Sequence, residues 1–414
     1  MSKDLSNENR LSLSTYSKEK LRNINDIVLL RVYINPKQTI EQHHKLSLFK
    51  SLIRQMQQIN NKIKVEYYDQ KHNSSSLLIF YENKRQEIKG FLTTMNMEYS
   101  LIREMIKLTN PKAFPIHILF GTEKKERLTV FKKYMEERYS PSYTENIQDK
   151  TMSKQLICIL GTHLKPEVLK QVYALGQKGA NIIIFLDNMT VDKDFQVTYK
   201  ANTLTTFLAP FNIHVEQGII ADKSHHYLSW VNPYKDIENK PYPYWMHANV
   251  KNNQDSYLVP WAVPINIDNS TTKISILMQS SSDYYRSERP HQLGPDHERP
   301  ILFSKQKPAV LGIKIEKENS QSTLLVLNNT ESLTNRILNQ HSENIEVVQE
   351  WMDPLVLDSE LLALKNKKQP RKINEKNIVK QNQLIQLLYF FILPLLYMGI
   401  ILLSRYYRRK RRKL

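Results

Sequence analysis

Glycine is scarce in this chain, nine residues in 414. Backbone cradles for phosphate are built from glycine-rich turns at helix N-termini. No GxxxxGK[ST], GxGxxG or GxSxG occurs, which excludes by motif a P-loop ATPase, a Rossmann dehydrogenase and an elbow-type serine hydrolase. Cysteine is scarcer still. Cys158 stands alone, so there is no internal disulfide framework and no cysteine-based zinc site. Its place in the apolar run LICIL marks a buried, inert thiol rather than a nucleophile. Acid is missing from the end of the chain: residues 384–414 carry seven Lys/Arg and no Asp or Glu, and residues 365–383 carry seven against Glu375 alone. Most of the formal charge of +18 therefore brackets one apolar segment. That pattern suits anionic lipid headgroups, where each nearby Lys or Arg contributes roughly 1 kcal/mol. A nucleic-acid reader would carry its basic residues on a folded face interleaved with aromatics, so no nucleic-acid partner is expected.

The bracketed segment, Leu384 to Leu403, is twenty residues without a charge. As a helix it would measure about 30 Å, the thickness of a bilayer's hydrocarbon core, so the expectation is one C-terminal transmembrane helix kinked at Pro394. Tyr389, Tyr406 and Tyr407 suit the interface. Arg405, Arg408, Arg409, Lys410, Arg411, Arg412 and Lys413 form a dense basic cluster at the membrane surface. By the positive-inside rule the tail is cytoplasmic and residues 1–380 lie outside a cell membrane. The opening MSKDLSNENRLSLSTYSKEKLRNIN shows no apolar stretch of signal-peptide kind. Either a leader precedes this start or the segment inserts by its tail.

Periodicity organises the rest. IVLLRVYI (27–34) reads as a buried strand, Phe49, Leu52, Ile53, Met56 and Ile59 as one helical face, and KIKVEYYD as a half-exposed strand. A hairpin around Glu82-Asn83-Lys84 and a helix over 97–109 follow. Further on, strands at 116–121, 155–160 and 181–187 alternate with helices at 123–139 and 165–177. The second helix opens on Pro166 and ends at Gly179. Helix 202–209 and strand 213–220 continue the alternation, and strands return at 274–279, 309–316 and 322–328. Repeated strand–helix units of this size predict an α/β fold of mostly parallel open sheets with flanking helices. The domains expected are a polar lead-in (1–22), an N-terminal α/β subdomain (23–110) and a main α/β domain (111–360) with an irregular insert (231–308). A basic linker (361–383), the membrane segment (384–403) and the basic tail (404–414) complete the chain.

Candidate chemistry is sparse. His225-His226 and HQLGPDHE (291–298) hold metal-ligand residue types, but neither places two histidines four apart on a helix, so solvated loops and no metal site are expected. Asp187 closes a strand at the edge where open sheets bind ligands, although a turn or cap role is the commoner use of such a residue. Tyr242, Tyr244, Trp245 and Trp261 could form an aromatic platform for a sugar or a partner, while rings this large also pack loops onto cores. No nucleophile–base set is visible, and no catalytic residue and no cofactor are expected.

Laid end to end, several segments resemble the auxiliary component of gliding-motility-type ABC transporters, the GldG-like family. They are LSLSTYSKEKLRNINDIVLLRVYIN with KIKVEYYD, MEYSLIREMIKLTNPKAFPIHILFG, LICILGTHLKPEVLKQVYALGQKGANIIIFLD, LTTFLAPFNIHVEQGIIAD, PYPYWMHANV with LVPWAVPI, and the basic-ended terminal segment. The resemblance runs from about residue 11 to the end. It implies a non-catalytic partner of ATP-binding and permease subunits at the bacterial inner membrane, with an extracytoplasmic region of class I glutamine amidotransferase-like fold. Two departures stand out. The family's N-terminal membrane helix is missing, and its glycine pair before the IIIFLD-type strand is Lys178-Gly179 here. An amidotransferase's Gly-x-Cys-x-Gly turn has no counterpart, since Cys158 lies inside a strand. The alternative expectation is a membrane-tethered module that binds envelope polysaccharide or another partner through the aromatic segment 242–261.

Overall fold

The computed structural model describes residues 12–367 apart from 70–74, 93–95, 122–124, 145–154, 162–163, 188, 193, 200–202, 232–236, 252–255, 269–272, 289, 291, 295–301 and 317–321. The membrane segment, the basic cluster Arg405–Lys413 and most of the basic linker lie outside the described residues. The chain forms two compact units, one of Met1–Met105 with Ala363–Leu414, the other of Ile106–Leu362.

The first unit opens with α1 (Thr15–Arg22), whose Ser14 hydroxyl accepts from the Ser17 N–H at 3.0 Å and caps the helix. Strand β1 (Val28–Ile34), helix α2 (Ile40–Ile59) and strand β2 (Ile63–Asp69) follow, then a hairpin of β3 (Ser76–Tyr81) and β4 (Lys84–Lys89). The sheet order is β2-β1-β3-β4, with β1–β2 parallel and the other two pairs antiparallel. α2 starts on a capping box between Thr39 and Gln42 and buries Leu46, Phe49, Ile53 and Met56, a stripe at helical spacing. α3 (Met97–Thr109) leads out of the unit. The unit is tied at its ends by Glu98, a buried carboxylate that accepts from the Ser14 N–H at 2.7 Å, the Ser17 hydroxyl at 2.7 Å and the Lys367 ammonium at 2.9 Å. These three donors satisfy a charge that would be costly to bury alone.

In the second unit the first run is β5 (Pro115–Phe120), α4 (Thr129–Arg138), β6 (Ser140–Thr144), β7 (Leu156–Leu160), α5 (Pro166–Gln177), β8 (Asn181–Leu186), β9 (Met189–Val191), β10 (Val197–Tyr199) and α6 (Thr205–Leu208). Next come β11 (Ile213–Val215), β12 (Gly218–Asp222), β13 (His225–Val231), β14 (Ile237–Val250), β15 (Tyr257–Pro260), β16 (Ile265–Ile267), β17 (Lys273–Gln279) and β18 (Asp283–Glu288). The unit closes with β19 (Ser304–Lys305), β20 (Val310–Glu316), β21 (Thr323–Asn328), α7 (Asn335–Leu338), α8 (Glu343–Val356) and α9 (Ser359–Lys365), the last running past the unit's end. Ten strands make the main sheet in the order β13-β14-β17-β20-β21-β8-β7-β5-β6, with β15 beside β14. β21, β8, β7, β5 and β6 run parallel to one another. Every pair from β21 to β13 is antiparallel.

This arrangement overturns the expected class of mostly parallel, glutamine amidotransferase-like open sheets. The main sheet is mixed, and three small sheets, β9/β10, β11/β16 and β12/β18/β19, are antiparallel throughout. Among the described residues no helix is long and apolar enough to cross a membrane. The physical reason lies in connection length and in the insert. β20 and β21 are joined by a connection too short to hold a crossover helix, so they can only turn back on each other. Residues 231–308, read as irregular because Pro, Tyr and Asn interrupt the period, hold β14 to β18. Pro241 and Pro243 are tolerated in the fourteen-residue β14 because its second ladder, to β15 and β17, begins only at Trp245.

One core lies between the main sheet and α5 and α6. Ile157, Ile159, Ile182, Ile184 and Val326 face Val168, Val172, Leu175, Phe207 and Phe211. α5 begins with Pro166 at its first turn, and Gly176 lets it approach β8 closely, since a Cβ there would stand 2.9 Å from Ile182 Cδ1.

Candidate functional site

The parallel half of the main sheet has one carboxyl edge, the place where open α/β sheets hold ligands. Gly121 follows the last residue of β5, Gly161 that of β7 and Asp187 that of β8, while β21 ends on Asn328. Gly161 has φ 97°, a conformation glycine adopts without strain, and its N–H donates to Phe185 O at 3.0 Å. Asp187 therefore does stand at the edge, and its side chain is buried there. It shares a small cavity with Thr190, Trp261, Asn328, Asn329 and Glu331. The cavity holds about 10 Å³, room for roughly one water molecule.

The edge is filled by the chain itself. Asn328 donates from Nδ2 to Val263 O and to Leu311 O at 3.2 Å, and its Oδ1 accepts from the Val263 N–H at 2.9 Å. Asn329 donates to Pro260 O and Trp261 O and caps the turn at Thr330–Leu333, its Oδ1 accepting from the Ser332 N–H. Thr330 Oγ1 donates to Phe185 O at 3.3 Å, and Glu331 is ion-paired with Arg127. Two buried asparagines thus hold segment 260–263 across the mouth of the sheet. The signal was present as NNTES immediately after an apolar strand, a polar run at a strand's carboxyl end, but no motif singled it out.

The four aromatic candidates come together, in the core. Tyr242, Tyr244, Trp245 and Trp261 are each at most 4% exposed. Trp261 sits at φ 51°, a left-handed conformation that costs a bulky residue energy, and its N–H is held by Tyr244 O at 2.6 Å. Its indole Nε1 donates to Tyr242 Oη at 3.1 Å, which donates on to Leu293 O at 2.7 Å. Burial pushes the phenols up, Tyr244 to about 12. Arg336 lies 4.7 Å over the Trp245 ring and 6.0 Å from that of Trp261. These rings fill a core with one another and present no platform to solvent.

Cys158 is fully buried in the middle of β7, and burial pushes its thiol up to about 12. His225 and His226 lie on β13 rather than in a solvated loop; His291 and His297 fall outside the described residues. Among the described residues no group of three or more His, Cys, Asp or Glu is placed to hold a metal ion. A wider apolar groove of about 570 Å³ runs along α5 and α6, lined by Leu169, Tyr173 and Phe207.

No family model matches the chain, and no curated protein does. Among solved structures it is similar to one described as the mmIFT52 N-terminal domain, at 12% identity over 59% of this chain and 98% of that one, with a TM-score of 0.39. It is also similar to the exo-beta-1,4-mannosidase Op5Man5 from Opitutaceae bacterium strain TAV5, at 8% identity over 77% of this chain, with a TM-score of 0.32. That alignment spans 50% of the mannosidase. At these scores neither likeness assigns a fold or an activity.

Proposed function

We propose that the protein is a membrane-anchored, non-catalytic auxiliary subunit of an ABC transporter, of the gliding-motility type that its sequence resembles. It works beside an ATP-binding and a permease subunit at the bacterial inner membrane, with its bulk extracytoplasmic and its tail cytoplasmic. The observation that carries this is the filled carboxyl edge. An α/β enzyme keeps that mouth open to a substrate, whereas here Asn328 and Asn329 hold the chain's own backbone across it and leave space for about one water. The buried Cys158, with its raised pKa, supports the same view, because a thiol is a nucleophile only as the thiolate. The uncharged stretch Leu384–Leu403 followed by Arg405–Lys413 supports attachment to a bilayer of anionic lipids.

Affinity purification of the full chain from its own membranes in mild detergent tests the proposal. An ATPase and a permease should co-purify in fixed ratio, and deletion of residues 384–414 should release them. Recovery of the intact chain alone from the aqueous fraction, or turnover of a substrate by the purified chain, would end it.

A further inference from the structure

Three histidines from separate parts of the second unit meet beside the aromatic core. His226 on β13, His247 on β14 and His341 just before α8 have ring centroids 4.7 Å apart for His226–His341, 6.1 Å for His226–His247 and 6.4 Å for His247–His341. The β13–β14 ladder changes register between His225 and His226, which re-aims the second histidine. His226 stacks on Trp245 at 6.0 Å and 27°, and the Arg336 guanidinium of α7 also lies over that indole, at 4.7 Å.

The charged and titratable groups facing the cluster are few. Glu343, at the start of α8, accepts from or pairs with His341 Nδ1 at 2.8 Å. His225 turns its Nδ1 to Asp222 O at 3.1 Å. Arg336 adds a fixed positive charge over the Trp245 ring. The ring atoms His225 Nε2, His247 Nδ1 and His341 Nε2 are buried without a hydrogen-bond partner. One acid therefore serves three imidazoles. Protons on both His226 and His247 would set two like charges with ring centroids 6.1 Å apart in a half-dry site.

We propose that His226, His247 and His341 form an acid-sensitive latch that closes the β13–β14 ribbon onto the start of α8 when neutral and releases it on protonation, uncovering the Trp245 face. The direction of titration agrees with the geometry. Burial first, then the neighbouring histidines, holds both His226 and His247 below the ordinary histidine value of 6.5. The open form then binds protons more readily than the closed form, so the latch is secure above about pH 6.5 and weakens as pH falls below it. The inference uses no part of the transporter reading and stands apart from it.

Hydrogen exchange across residues 225–250, together with tryptophan fluorescence and its acrylamide quenching, tests this on the full chain in detergent between pH 7.5 and 5. Exchange in the ribbon should rise at least tenfold and quenching should increase, with a midpoint below 6.5 and uptake of more than one proton. The double variant H226Q/H247Q should keep its circular dichroism and lose the step. Glu343→Gln, which leaves the histidines in place, should move the step to higher pH, because it removes the carboxylate that favours the protonated histidines in the closed form. A step that persists in the double variant, or that does not move in Glu343→Gln, overturns the latch. One-to-one Zn²⁺ binding by the wild type and not by the double variant would overturn it in favour of a metal site.

Discussion

The two halves of the ten-stranded sheet are built from different kinds of sequence. In the parallel half, LICIL of β7 is buried at every position and NIIIFL of β8 at all but its first. Such strands are covered on both faces and read as continuous apolar runs. In the antiparallel half, β17 (KISILMQ) is mostly half-exposed, with Met278 its one buried residue, and β20 mixes buried with half-exposed positions. There the strands have one wet side, and polar residues such as Lys273 and Lys314 enter the ladder. The difference teaches that stability in this unit is concentrated in the parallel half and specificity of pairing in the seam between the halves.

The largest effect should come from cutting into the parallel half. Phe185→Ala, at a fully buried position on β8, should cost about 3–5 kcal/mol in urea unfolding, while Ile276→Ala on β17 should cost about 1–2 kcal/mol. Equal costs would abolish the distinction between the halves. At the seam, Asn328→Ala leaves the Val263 N–H and the carbonyls of Val263 and Leu311 without their partner. A loss of about 3 kcal/mol is expected, together with faster exchange of the Val263 amide. A loss below about 1 kcal/mol would mean that water replaces the asparagine and that the carboxyl edge is open.

The smallest effect belongs to the outer ladder. Glu316 accepts from Lys273 at 2.8 Å and from Lys314 at 2.6 Å, first hydrogen bonding and then charge holding its carboxyl down to about 2. A depressed carboxyl favours the folded state above its ordinary value of 4.5, and that contribution fades as pH falls from there toward 2. Lys273→Ala with Lys314→Ala should return the Glu316 titration, followed by NMR, toward 4.5, yet leave the melting temperature at pH 7 unchanged, because this surface cluster is solvent-screened. A clear drop in melting temperature would show that the antiparallel half depends on its surface charges.

Much of the local structure was legible. The helix expected over 165–177 is α5, opening on Pro166, and the strands expected at 155–160 and 181–187 are β7 and β8, because continuous apolar runs and a proline at the first helical turn act within a few residues. Asp187 was placed at the edge of the sheet by the same local rule. The aromatic residues of β14 were harder. Tyr242, Tyr244 and Trp245 alternate only partly and lie among prolines, so their period suggested an irregular insert, and whether their rings face solvent or each other is settled by Trp261 and Leu293, distant in the chain. The asparagines that fill the carboxyl edge carried no motif, and the meeting of His226, His247 and His341 joins residues more than a hundred positions apart.

Composition and periodicity alone were enough to exclude glycine-cradled nucleotide chemistry, disulfides and a reactive cysteine, and to locate most strands and helices, since those properties depend on residue type and on neighbours within one or two turns. Strand direction in half of the main sheet, the closure of the carboxyl edge by Asn328 and Asn329, and the burial of the aromatic and histidine clusters were decided only by tertiary structure, because each depends on which distant segments pay the entropy of coming together.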